Sequence, residues 1–190
     1  MNPITISGFP IDGQVTLRKR GDHMDIGYEI SNHNRQDDAY GESRGTWCYY
    51  VTIMEYMISP EAFEEFWLPP GDPYFKGSGI FLPVYAYTSG RFADAEWHCG
   101  ITYYEKVGGL DGAPRGVKMG CDYNHYWDEG RHYSYAEVEN DARLTIDAFR
   151  RMYEFKRRCT WSGKWLPESE LTRDDKGRLF HEATKNEVKA

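Results

Sequence analysis

Residues 134–158 read SYAEVENDARLTIDAFRRMYEFKRR, and this stretch decides the fold. Ser134 stands where a helix N-cap is needed. Glu137, three places on, completes a capping box in which the serine oxygen accepts the Glu137 amide proton while the carboxylate reaches back. Val138, Ala142, Ile146, Phe149 and Met152/Tyr153 then recur at the spacing of one helix face. The pattern predicts a long amphipathic helix over about 134–158, whose apolar stripe needs a partner.

Working outward, the partner is a sheet. Gln14–Arg20 and His23–Ile30 flank Gly21-Asp22, a two-residue hairpin signal between β-prone runs. Trp47–Ile58 is dense in aromatic and β-branched residues and reads as a long strand. Ser59-Pro60-Glu61 supplies an N-cap and a proline at the first helical position, starting a short helix that ends before Pro69-Pro70. Leu68–Gly79 reads as a loop, and Ile80–Thr88, Trp97–Tyr104 and Gly116–Asp122 as further strands. Strands followed by one major helix predict an α+β fold, a mainly antiparallel sheet packed against the long helix, with a small C-terminal β-hairpin. Residues 1–158 are expected to form a single α+β domain and residues 159–190 a hairpin appendage and tail.

The chain has 190 residues, 40% of them hydrophobic, with 30 aromatic rings. That is enough to build a core, and it disfavours disorder and collagen-like repeats. The net charge is -7, which disfavours a nucleic-acid partner. Residues 150–190 carry 11 basic and 7 acidic side chains, a net +4, whereas the first 149 carry 12 and 23, a net -11. The basic run Arg150, Arg151, Lys156, Arg157, Arg158 complements a helix C-terminal dipole and has the chemistry to contact phosphate. No signal peptide or membrane span is recognisable, so no membrane partner is expected. The four cysteines never form C-x-x-C, which reads as reduced thiols of a cytoplasmic protein.

The chemistry concentrates in Trp97–Tyr104 (WHCGITYY) and Gly116–Asp122 (GVKMGCD). If these are neighbouring strands symmetric about residue 110, His98 faces Asp122 and Gly100 faces Gly120. Opposed residues have Cβ atoms roughly 4.5–5.5 Å apart, so Asp122 could fix the His98 tautomer or share a metal with it. Gly100 and Gly120 would open a strip to a ligand, flanked by Thr102 and Lys118. His125 and Asp128 follow in Asp122-x-x-His125-x-x-Asp128. Together with His98 they form a candidate donor set for one divalent ion such as Zn²⁺, Mn²⁺ or Fe²⁺. His98 and Asp122 are also the candidate catalytic pair; a plain surface His–Asp pair is the alternative.

The run His98-Cys99-Gly100-Ile101-Thr102-Tyr103, then Gly120-Cys121-Asp122 through His125 to Asp128, then the capped helix, resembles a family of small phage- and prophage-encoded proteins. Their pattern is similar to H-G-G-[IL]-T-[YF] and G-x-D-x-x-H-x-x-D. The resemblance covers roughly residues 96–157, with Cys99 departing from the usual glycine. It implies a phage setting and a shared polar site, without an activity. Residues Arg158–His181 resemble a degenerate zinc-ribbon hairpin. Cys159 and His181 stand at ligand-like places and Ser162 where a cysteine is common, so a metal-free hairpin held by Trp161, Trp165, Leu171 and Phe180 is expected.

Two functions follow as expectations. The first is a phage accessory protein of the host cytoplasm, an inhibitor in host–virus interaction. It would bind and neutralise a host or defence-system protein or a small nucleotide-like ligand. The alternative is a small metal-dependent hydrolase of phosphoesters or nucleotides, with His98, Asp122, His125 and Asp128 holding a divalent ion that activates water.

Overall fold

A computed structural model describes residues 5–6, 9–10, 15–34, 45–67, 91–109, 113–123, 128 and 131–182. Two short strands, β1 (Thr5–Ile6) and β2 (Phe9–Pro10), pair with each other. The first long hairpin joins β3 (Val15–His23) to β4 (Ile26–Asn34). Its turn is Met24-Asp25, with φ of 52° and 68°, the sign that lets a two-residue turn match the twist of its strands. The expected turn at Gly21-Asp22 is corrected. Gly21 lies inside β3 opposite Tyr28, where a Cβ would strike the Tyr28 ring. The glycine therefore serves a close approach rather than a reversal.

The next strand, β5 (Gly45–Met54), pairs with β4 and gives way to a 3-10 turn at Glu55–Met57 instead of continuing to Ile58. Helix α1 (Pro60–Phe66) follows, and the Ser59 hydroxyl oxygen accepts the Ala62 amide proton at 3.2 Å. The expected loop Leu68–Gly79 and strand Ile80–Thr88 lie outside the described residues.

The strand expected at Trp97–Tyr104 is displaced. Cys99 and Gly100 have φ of 56° and 96°, which breaks the expected strand, and the extended run is β6 (Tyr103–Gly108), which shares only Tyr103 and Tyr104 with it. It pairs with β7 (Arg115–Asp122). The sheet is five-stranded and antiparallel, in the order β3-β4-β5-β7-β6.

The long helix, α2 (Tyr135–Met152), begins on its expected cap. Ser134 Oγ accepts the Glu137 amide proton at 3.4 Å, and the Ser134 amide donates to Glu137 Oε2 at 2.7 Å. It stops at Met152 rather than about 158. Tyr153 is extended (φ -132°, ψ 146°) and packs its ring 4.8 Å from Phe66. Burying that aromatic outweighs another helical turn. The chain then forms two small hairpins, β8 (Lys156–Arg158) with β9 (Trp165–Pro167) and β10 (Thr172–Arg173) with β11 (Leu179–Phe180). Trp161 stacks on Phe180 at 4.4 Å.

The core lies between sheet and α2. Ile26, Ile30, Tyr49, Val51, Ile53, Val117 and Met119 are buried beneath Val138, Ala142, Ile146 and Phe149. Burying each large apolar side chain favours folding by about 1.5–3 kcal/mol. Tyr49 completes the seam, its hydroxyl 2.8 Å from Thr145 Oγ1 on α2.

The opposite face is polar and aromatic. Gly120, in central strand β7, is paired with Tyr50 on one side and Tyr103 on the other, and those rings meet edge-to-face at 5.0 Å. A Cβ on Gly120 would run into the Tyr49 carbonyl oxygen and the Tyr50 ring, whereas one on Gly27 would meet nothing within 4 Å. Gly120→Ala is therefore expected to destabilise the fold by about 1–3 kcal/mol, and Gly27→Ala to leave it within about 0.5 kcal/mol. Urea denaturation of the two variants checks this; equal midpoints would contradict it.

Candidate functional site

The chemistry-bearing residues gather where β7 ends. Asp122, its last residue, is buried opposite Cys48 of β5 and accepts the Thr102 hydroxyl proton at 2.7 Å. The β6–β7 register pairs Tyr103 with Gly120 and Tyr104 with Met119, so His98 does not face Asp122. Residues 97–102 instead wrap the end of the sheet, with the Thr102 amide donating to the Gly120 carbonyl at 2.9 Å.

His98 is brought to Asp128, its Nε2 lying 2.9 Å from Asp128 Oδ1. The Tyr133 hydroxyl donates to the same oxygen at 2.7 Å. The imidazole stacks on Tyr123 at 3.9 Å, tilted by 13°, and meets the Tyr133 ring at 5.6 Å. Tyr123 in turn donates its hydroxyl proton to Asp141 of α2 at 2.6 Å. Burial first, then this bond to Asp141, pushes the Tyr123 phenol up. Cys99, exposed beside this group, has its thiol pushed up by partial burial, then by the carboxylates of Asp128 and Asp122. A raised thiol is a poor nucleophile at neutral pH.

The structure thus assigns new partners to the expected pair: His98 to Asp128, and Asp122 to Thr102. His125 lies outside the described residues. Among the described residues, no three His, Cys, Asp or Glu side chains converge as a metal would require; His98 and Asp128 bring two donors to one point. Of the residues of the expected ligand strip, Thr102 and Gly120 are joined by the bond from the Thr102 amide to the Gly120 carbonyl, and Gly100 lies two residues before Thr102. Lys118 lies further along β7, its ammonium 4.5 Å from the Tyr50 ring centre and 3.3 Å from Glu29 Oε1.

Glu29, Tyr123, Tyr133 and Asp141 escaped the sequence reading. Glu29 was legible in principle: with the turn at Met24-Asp25, β3 pairs Arg20 with Glu29. Tyr133 follows Asp128 by five residues, a spacing that no strand or helix periodicity marks. Glu29 is the polar hub of the outer face, accepting from Arg20 Nε at 2.9 Å, with Lys118 at 3.3 Å and Arg18 at 3.5 Å. Burial alone would raise its carboxyl, but the Arg20 and Lys118 contacts bring it below the ordinary carboxylate value.

In the C-terminal hairpin, Cys159 is buried and its Sγ accepts the Ser162 amide proton at 3.5 Å. Burial opposes ionisation of this thiol. Hydrogen bonds from the Ser162 hydroxyl and amide and from the His181 and Trp161 amides overcome it and lower the group to about 6.

No protein family matches the chain, and neither the curated proteins nor the solved structures contain a match to it. No helix among the described residues is long and apolar enough to cross a membrane.

Removing Asp128 takes the shared acceptor from both His98 and Tyr133. Asp128→Ala is expected to cost about 1–3 kcal/mol of stability and to release the His98–Tyr123 stack, seen as altered near-ultraviolet dichroism. An unchanged spectrum and midpoint would refute the assigned network. Glu29 supplies a pH dependence. Its folded carboxyl titrates below its unfolded value, so its stabilisation is full above the unfolded value near 4.3 and is lost as pH falls through the folded one. Acid titration of stability should be flatter in Glu29→Gln than in the wild type.

Proposed function

We propose that this chain is a binding protein rather than a catalyst: a phage or prophage accessory factor that captures and neutralises a component of the host or of its defences, in the host cytoplasm. The observation that carries the binding half is how the candidate acid–base groups are used. His98 and Tyr133 share the Asp128 carboxylate oxygen, Asp122 accepts from Thr102, and Tyr123 donates to Asp141. Groups held this way stiffen a loop and shape a surface. The neighbouring exposed thiol of Cys99 is raised, the opposite of an activated nucleophile. The phage half rests on the resemblance of residues 96–157.

The hydrolase reading keeps one observation in its favour, the 2.9 Å approach of His98 to Asp128 at the sheet end that also holds Asp122. Metal content separates the readings. Binding predicts wild-type protein without a stoichiometric divalent ion. The hydrolase predicts about one ion per chain, lost in both His98→Ala and Asp122→Ala. For the binding reading, affinity capture from infected cells followed by mass spectrometry should return a stoichiometric host protein or small ligand. Repeated recovery of the bare chain, with phage growth unaffected by its deletion, would falsify it.

A further inference from the structure

We propose that the outer edge of β3 is the docking surface, and that its occupant is an extended acidic peptide segment of the partner, added to the sheet as a further strand. This rests on the binding reading above and names the surface and the chemistry that reading leaves open.

The register dictates which backbone groups face outward. A two-residue turn is closed by a pair that exchanges both ladder hydrogen bonds, and bonded and non-bonded pairs then alternate. His23–Ile26 closes the turn, so Gly21–Tyr28 and Lys19–Ile30 are bonded pairs. Arg18, Arg20 and Asp22 are the residues between, and their N–H and C=O groups point away from β4. β3 spans nine residues at one end of the strand order, with its only register shift between Val15 and Leu17. No described strand pairs with that edge. A long, regular edge is a template for strand addition.

Charge selects the occupant. Arg18, Lys19 and Arg20 are consecutive and exposed, with Arg18 and Arg20 side chains 55% and 76% accessible. Arg18, Arg20 and Lys118 surround the single carboxylate of Glu29, so this strip retains positive charge, and the Asp22 carboxylate lies beyond it towards the turn. A second copy of β3 would set arginine against arginine, which rejects self-pairing. A strand with acidic side chains on the matching face would place carboxylates beside Arg18 and Arg20 while its backbone satisfies the edge. The chain as a whole carries -7, so attraction of an acidic peptide has to be local to this strip.

The probe is a fluorescein-labelled peptide of alternating glutamate and valine, read by anisotropy against the full chain. Wild type should bind it with an affinity that falls as salt is raised. It should bind the lysine–valine counterpart at least about tenfold more weakly, and lose about tenfold for peptides N-methylated on alternate residues, which cannot pair as strands. Arg20→Gln removes charge alone. Arg20→Pro also removes the outward N–H, at a position where the ladder to β4 loses no bond, and should bind more weakly still. The peptide-side changes keep the test decisive if Arg20→Pro does not fold. Three results each overturn the proposal: no binding of the acidic peptide, equal binding of its N-methylated forms, or preference for a single-stranded oligonucleotide of equal charge. If host capture by the chain survives in Arg18→Gln/Arg20→Gln, the edge is not the docking surface and the binding reading stands without it.

Discussion

The Met24-Asp25 turn is the constraint on which the sheet depends. Because side chains alternate along a strand, moving a register by one residue exchanges the two faces of everything that follows. With the turn where it is, Ile26, Tyr28 and Ile30 face α2, while Glu29 and Ser31 face the other way. β5 inherits that alternation and passes it to β7. Two residues at positive φ carry a conformational cost, and the structure supplies the compensation. Asp25 accepts from Arg157 Nε at 2.6 Å and from the Arg158 amide at 3.3 Å. His23, just before the turn, lies 2.8 Å from Asp147 of α2. The C-terminal strand β8 and the long helix thus both hold the first hairpin's tip, and the small C-terminal hairpin becomes part of what fixes the sheet.

Legibility in the sequence followed how local each signal was. The Ser134–Glu137 box, the apolar stripe of α2, the Ser59 cap and strand β7 are encoded within a few residues and stand as expected. The failures came where a local signal competed with tertiary contact. Gly21 looked like a turn because glycine permits one, but its missing side chain is required beneath Tyr28. Trp97–Tyr104 looked like a strand because it is rich in aromatic and β-branched residues. Its ends pack differently, Trp97 stacking on Tyr49 at 5.9 Å and Tyr104 donating its hydroxyl proton to the Phe66 carbonyl at 2.6 Å. The kink at Cys99-Gly100 lets both contacts form. At the site, the residue types were legible and the pairings were not, because the assumed hairpin symmetry paired Gly100 with Gly120 where the structure pairs Tyr103 with it.

That register also explains why Gly120 is not an opening for a ligand. Glycine in a central strand invites a close neighbour, and here the neighbour is the protein itself. Tyr50 and Tyr103 close over it, with the Lys118 ammonium against the Tyr50 ring. The aromatic surplus of the composition thus does two jobs, filling the seam beneath α2 and capping the polar outer face. The site at the sheet end follows the same logic. Its hydroxyls and carboxylates bond to each other, and their combined effect is to hold residues 97–102 in one shape.

The distribution of charge separates the two basic regions of the chain. The C-terminal arginines are engaged inside the molecule: Arg150 with Glu168 at 2.8 Å, Arg157 with Asp25, Arg173 with Glu168 at 3.2 Å and Arg178 with Asp174 at 2.7 Å. Arg150 thereby ties Glu168 to α2 and Arg157 ties β8 to the Met24-Asp25 turn, while the Arg173 and Arg178 pairs close within the C-terminal segment itself. On β3 the balance is different, since Arg18 and Arg20 share the one buried carboxylate of Glu29 in β4 with Lys118 of β7. Pairing there is weak for any single exposed arginine, so a second anion can compete for Arg18 and Arg20 without dismantling the fold. The same contacts that lower the Glu29 carboxyl thus leave the edge of the sheet with cations to offer.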